Sequence, residues 1–367
     1  MTIPLSAPDI TDAEIAAVAE VLRTGRLSLG PQLEAFESAI ARYTNASHAV
    51  AVSSGTAALH LAIRALNLKE GDEVILPSFT FIAVANALAY ERISPVFVDI
   101  DPVTLNLDPS KVEGAITPKT RAIIAVHTFG VPADLDALKS IAQRHSLFLI
   151  EDACEALGAE YAGERVGGLA DVGVFAFYPN KQITTAEGGV LVTQSPELAA
   201  LVRSLRNHGR RDSADWLQHS EIGYNYRLSE LHAALGLAQM QRVDAILEGR
   251  EEIARGYDER LAKSEALILP PLKLSGHRIS WFVYVIRLVE KYPQSDRDGL
   301  IEKMAARGIA CGRYFAPIHL QPPYRSPNRV PLPFTEHIGA RTLALPFFNR
   351  ITDAQLDEVC ETLLSLL

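Results

Sequence analysis

Between residues 48 and 195 the chain alternates seven short apolar runs with helix-length segments, an alternation that few folds accommodate. The runs are HAVAV, DEVILP, SPVFVDI, RAIIAVH, LFLIED, VGVFAFY and GGVLVTQ. Strands that are apolar on both faces belong in a mostly parallel sheet with helices covering each side. This part of the chain therefore reads as α/β. In such sheets a ligand lies outside the carboxyl ends of the strands, so that is where residues able to do chemistry are sought. Ahead of the first run, Thr11 and Glu14 form a capping box before the helix AEIAAVAEVLR.

Past residue 226 the pattern changes. RLSELHAALGLAQMQRVDAILEGREEIARGYDERLA reads as one long helix or two nearly continuous ones. It is followed by an apolar strand, SWFVYVIRLV, a helix capped near Ser295, and a last helix opened by Thr352 with Gln355. The expectation is a large domain over residues 1–240 and a smaller C-terminal α+β domain over residues 241–367.

Bulk properties exclude several classes of partner. The 367 residues carry a formal net charge of −9 and no long basic run, which argues against a nucleic-acid surface. An anionic ligand must then be held by a local arrangement of groups. Cys154, Cys311 and Cys360 are far apart and odd in number, which argues against a disulfide framework or a metal site and fits a reducing cytoplasm. The N-terminus MTIPLSAPDI lacks the basic and apolar regions of a signal peptide, and no run of about 18 apolar residues suggests a membrane span.

Four features fall at strand ends. Ser53-Ser54-Gly55-Thr56 lies between a strand and a helix, where backbone N–H groups and the helix dipole cradle a phosphate; an ordinary N-cap is the plainer alternative. Glu151-Asp152 closes LFLIED, and strand alternation points the two carboxylates to opposite faces. Asp152 is the choice for the ligand crevice, against a helix-capping or salt-bridged role. Lys181, in FAFYPNKQITTAEGG, follows a strand and precedes Gly188-Gly189, where an amine sheltered from water is available as a nucleophile; most lysines are simply solvated. Phe81, in PSFTFIAVANAL, is placed to stack on a flat ring, although a core phenylalanine is commoner. An acid for a ring nitrogen, an amine for a Schiff base and a phosphate cradle are together what pyridoxal phosphate requires.

The runs SSGTAALHLA, PSFTFIAVANA, IEDACEALGA, YPNKQITTAEGG, RNHG, GYNYRLSELHAALG, YFAPIHLQPPY and LALPFFN occur in an order that resembles the DegT/DnrJ/EryC1/StrS family of sugar aminotransferases, enzymes of fold type I. The resemblance covers nearly the whole chain. It implies that Lys181 is the Schiff-base lysine, Asp152 the pyridine-nitrogen acid, Gly55 and Thr56 the phosphate loop, and Phe81 the ring-covering aromatic. It further implies that Glu155 touches the cofactor's face or its 3′ oxygen, and that Asn225 reaches the phosphate from a neighbouring subunit in a homodimer with shared sites. Ala176 departs from the pattern, since many relatives carry a phosphate-binding serine there; Thr56, Asn225 or Tyr178 would compensate. The implied reaction passes an amino group from glutamate, through the pyridoxamine form, to a nucleotide-linked keto-sugar, with 2-oxoglutarate released, in amino-sugar or polysaccharide biosynthesis. Arg210, Arg211, Tyr314 and His319 lie on segments expected to contact substrate. Two other activities compete with this one: a sugar dehydratase, whose members carry His in place of the lysine, and a non-catalytic regulator, which would need neither Lys181 nor Asp152.

Overall fold

The seven apolar runs form one sheet. The computed structural model describes residues 2–211, 218–326 and 330–367. Its main strands are β1 (His48–Val52), β2 (Glu73–Pro77), β3 (Ser94–Val98), β4 (Thr120–Val126), β5 (Phe148–Asp152), β6 (Val172–Ala176) and β7 (Gly189–Thr193). Their order across the sheet is β1-β7-β6-β5-β4-β2-β3. All neighbours are parallel except β7, which runs antiparallel to both β1 and β6. The carboxyl ends of β1, β5 and β6 therefore meet the amino end of β7 at one edge, with Val52 and Ala176 both paired to Gly189. Helices cover both faces, and the centre of the sheet is fully enclosed: Val50, Leu76, Ile124, Ile150, Val174 and Leu191 have no exposed surface.

Two helices open the chain, α1 (Asp12–Thr24) and α2 (Pro31–Tyr43). The Thr11–Glu14 capping box forms as expected. Gly30, the N-cap of α2, offers no side chain, and its cap is supplied from far along the chain. Glu230 accepts hydrogen bonds from the N–H groups of Gly30 (2.9 Å), Gln32 (2.9 Å) and Leu33 (3.0 Å). A buried carboxylate at a helix N-terminus satisfies free donors and complements the dipole together.

The long helical stretch is broken at Gln241–Arg242 into helices Glu230–Met240 and Val243–Leu261. Beyond it lies a second core built on an antiparallel three-stranded sheet of Leu267–Ile268, Tyr284–Leu288 and Thr342–Leu345. The strand expected over SWFVYVIRLV is shorter, because residues 280–283 leave the ladder and turn their backbone to other partners. Arg250 holds two of these groups, donating to the carbonyls of Trp281 (2.6 Å) and Phe282 (2.7 Å). The helix placed near Ser295 begins at Gln294 after Pro293, with no side-chain cap, whereas Thr352 and Gln355 do cap the last helix. Ile3 belongs to this C-terminal core, bridged to Ile309. We propose that the chain divides at the break after Met240, with residues near Ile3 joining the C-terminal part.

The start of α1 is tied to that break. Burial acts to raise the Glu14 carboxyl, but hydrogen bonds from Thr11, Arg242 and Gln239 outweigh it and bring Glu14 down to about 2. A depressed carboxyl contributes stability above its unfolded value, which is lost as pH falls through the folded one. Glu14→Gln is therefore expected to cost about 2 kcal/mol at neutral pH. The deficit should shrink as pH falls from 4.5, the ordinary value, toward 2, as read from urea unfolding of both proteins at each pH.

Candidate active site

The edge where β1, β5, β6 and β7 meet opens into a cavity of about 520 Å³. Gly55, Thr56, Phe81, Asp152, Glu155 and Lys181 all line it, as do Ser54, Tyr178, Asn180, Glu187, Phe282, Arg313 and Tyr314.

Its floor is the start of α3 (Gly55–Ala65). The hydroxyl of Ser54 caps this helix by accepting from Ala57 N–H (3.1 Å). The N–H groups of Gly55 and Thr56, at the first two helical positions, have no partner inside the helix and are free for an anion. The packing around them is close. A Cβ on Gly55 would lie 2.6 Å from the Ala176 methyl, and one on Gly189 would lie 2.4 Å from the Ser54 carbonyl oxygen. The helix start is thereby wedged against the ends of β6 and β7.

Strand alternation at the end of β5 divides the two carboxylates. Glu151 is fully buried on the opposite face. There it accepts from the N–H groups of Gly167, Leu169 and Ala170 and contacts His127 Nε2 at 3.1 Å, fastening the loop before β6. Asp152 faces the cavity, its carboxylate accepting from Cys154 N–H (3.1 Å).

Lys181 lies beyond β6 in a turn closed by its N–H on the Tyr178 carbonyl (2.9 Å). Its ammonium stands 4.0 Å from the centre of the Phe282 ring and 3.8 Å from Glu155 Oε1. Burial pushes the Glu155 carboxyl up, against the pull of Lys181 and the Phe129 N–H. The latter donates to Glu155 Oε2 at 2.9 Å. Burial, then the Asp152 charge, pushes the neighbouring Cys154 thiol well above its ordinary value, so it is no nucleophile at neutral pH. Phe81 is 61% exposed at the rim, so it is not a core residue.

The remaining sequence candidates fall elsewhere. Tyr314 lines the cavity, but His319 does not: it is 3% exposed, paired through Nδ1 with the Ser78 hydroxyl (2.6 Å) and through Nε2 with Glu336 (3.2 Å). Ser78 is itself fully buried, so this Ser–His–Glu line joins the segment after β2 to the C-terminal part. Arg210 and Arg211 lie outside the cavity lining, and Arg211 is ion-paired with Glu221. Asn225, exposed and bridged to Asn207, does not line this cavity either. Asn180, Phe282 and Arg313 were missed. The first and last sit beside Lys181 and Tyr314, and Phe282 reads as an ordinary core strand residue.

Residues 8–364 match the model of the DegT/DnrJ/EryC1/StrS aminotransferase family. The chain belongs to this family. It is 40% identical over 363 residues to GDP-perosamine synthase of Caulobacter vibrioides, an alignment covering 98% of this chain and 97% of that one. The structure of S. venezuelae DesV superposes with a TM-score of 0.90 at 37% identity, covering 98% of this chain and 97% of the other. The sugar aminotransferase Spr1654 of Streptococcus pneumoniae, solved in PLP and PMP forms, superposes with a TM-score of 0.95 at 29% identity, covering 100% and 98%. The family member described here is a PLP-dependent aminotransferase of fold type I.

The residues present fit that cofactor. An amine, an acid, a helix-start anion cradle and a rim aromatic share one cavity, and the buried Asn180 Oδ1 there has no hydrogen-bond partner. The close packing at Gly55 makes a direct test. Gly55→Val is expected to displace the helix start from Ala176 and weaken cofactor binding at least tenfold, measured by titrating the apoenzyme with pyridoxal phosphate and following absorbance.

Proposed function

We propose that this enzyme transfers the amino group of glutamate to a nucleotide-linked keto-sugar, a 4-keto-6-deoxyhexose being the favoured class. The reading is carried by one observation: Lys181 and Asp152 face each other's space in a single cavity beside the Gly55–Thr56 helix start. It is supported by GDP-perosamine synthase, whose name states a nucleotide-sugar product, at 40% identity.

Pyridoxal phosphate, when bound, supplies the electron sink that lets an amino group leave one carbon and join another. The chain's own residues do the rest. The N–H groups of Gly55 and Thr56 would hold the phosphate. Asp152 would keep a proton on the ring nitrogen, which an ionised carboxylate favours and a neutral amide does not. Lys181 would be the cofactor's amine anchor and would move the proton between the substrate carbon and the cofactor's C4′ atom. Phe81 would cover the ring from the rim. Glu155, raised by burial, stands beside the same amine and would offer a hydrogen-bonding group to the cofactor's 3′ oxygen. With Ala176 offering no hydroxyl, Thr56 and Tyr178 are among the cavity groups that would serve the phosphate. Lys181 also speaks against the dehydratase, in which His takes that place.

Incubation with glutamate and a panel of nucleotide keto-sugars, followed by mass spectrometry, tests the substrate class; an amino-sugar is expected, and a panel without product rejects it. Lys181→Ala should retain cofactor by phosphate and ring contacts yet lose turnover by at least a thousandfold. Asp152→Asn should keep the covalent cofactor band while slowing amino transfer by orders of magnitude.

We further propose a homodimer with shared sites. Asn225 stands away from its own chain's cavity, and an exposed amide is suited to a phosphate presented by a partner. If so, Lys181→Ala and Asn225→Asp are each inactive alone, but a co-refolded mixture regains activity, because mixed dimers hold one site with neither lesion. Mixed dimers as inactive as their parents reject this arrangement.

A further inference from the structure

We infer that Arg313 is the clamp for the carboxylate of the amino donor at the mouth of the Lys181 cavity. The inference rests on the amino-acid donor proposed above and goes on to say what holds it.

An α-amino acid bears its carboxylate on the carbon that must reach Lys181, so the carboxylate enters the same cavity. That cavity already contains Asp152, Glu155 and Glu187, in a chain of net charge −9. A carboxylate brought there without a cation would lose its water and meet like charge. Among the described residues that line the cavity, two are cationic, Lys181 and Arg313. The nitrogen of Lys181 is committed to the chemistry, and the N–H groups at Gly55 and Thr56 face the phosphate end. Arg313 remains.

Its setting suits the task. The side chain is 55% exposed, at the mouth, and its Nε is 3.0 Å from Asp298. Asp298 is itself pinned, because the same oxygen pairs with Nε of Arg297 at 2.7 Å. Arg297 is buried and also donates to the carbonyls of Gly339 (3.2 Å) and Thr342 (2.8 Å). Asp298 is the ion-pair partner of Arg313 among the described residues, and it engages Nε. The two terminal amino groups are left as a planar fork that matches a carboxylate bidentately. The backbone is fixed on both sides. Gly312 exchanges hydrogen bonds with Ala344 (3.0 and 2.8 Å), and Tyr314, the next residue, accepts from the amide of Asn180, which adjoins Lys181. Arg211, by contrast, is paired with Glu221 and lies outside the cavity lining.

The test uses the cofactor-loaded enzyme as wild type, Arg313→Ala and Arg313→Lys. Glutarate, a dicarboxylate with no amine to react, is titrated by calorimetry, and GDP and UDP are titrated in parallel. Glutarate affinity should fall roughly 30-fold in Arg313→Ala and by less in Arg313→Lys, with both nucleotides unaffected. In the conversion of the cofactor by glutamate, the apparent Kd should rise by a similar factor with the limiting rate nearly kept. Equal glutarate behaviour in all three proteins, absence of binding included, overturns the clamp. So does a loss that falls on the nucleotides and spares glutarate, which would give Arg313 to a diphosphate. A wild-type enzyme that no α-amino acid converts would remove the donor reading, and the clamp with it; a converted wild type with an unimpaired Arg313→Ala removes the clamp alone.

Discussion

The site depends on close packing at the start of α3. Gly55 rests against Ala176 and Gly189 against Ser54, with no room for a β-carbon at either glycine. That contact brings the unpaired N–H groups of the helix to the strand ends where Asp152 and Lys181 emerge. An antiparallel β7 is what makes it geometrically available. Because β7 enters the sheet at the edge where β1 and β6 leave, Gly188 and Gly189 form the wall beside the helix start. Even the missing hydroxyl at position 176 belongs to this seam, since the residue there must be small before it is polar.

Much of this was legible in the sequence, for reasons that differ by residue. The seven strands announced themselves because double-sided burial demands unbroken apolar runs. The choice of Asp152 over Glu151 needed only the two-residue period of a strand, and the structure puts the two carboxylates on opposite faces, one fastening a loop and one in the cavity. Both Thr-led capping boxes were readable because all of their partners are local. What was illegible depends on distant partners. The cap of α2 comes from Glu230, some two hundred residues later, and no local pattern could reveal it. His319 looked like a substrate residue because it follows Tyr314 closely, yet Ser78 draws it into the protein. Phe282 hid inside an apolar strand motif, where only the shortening of the ladder turns a ring toward Lys181.

The cavity wall is assembled from two cores with separate packing. Lys181, Asp152 and the helix start belong to the seven-stranded sheet, whereas Phe282, Arg313 and Tyr314 are carried by segments around the antiparallel sheet of the C-terminal core. The helix start beneath the cavity is wedged by contacts that leave no room for a β-carbon at Gly55 or Gly189. Arg313, at the mouth, is held by an ion pair at a half-exposed edge, where substitutions cost less. Such a division of labour lets a lineage trade one substrate for another by altering the rim, while the machinery beneath stays as it was.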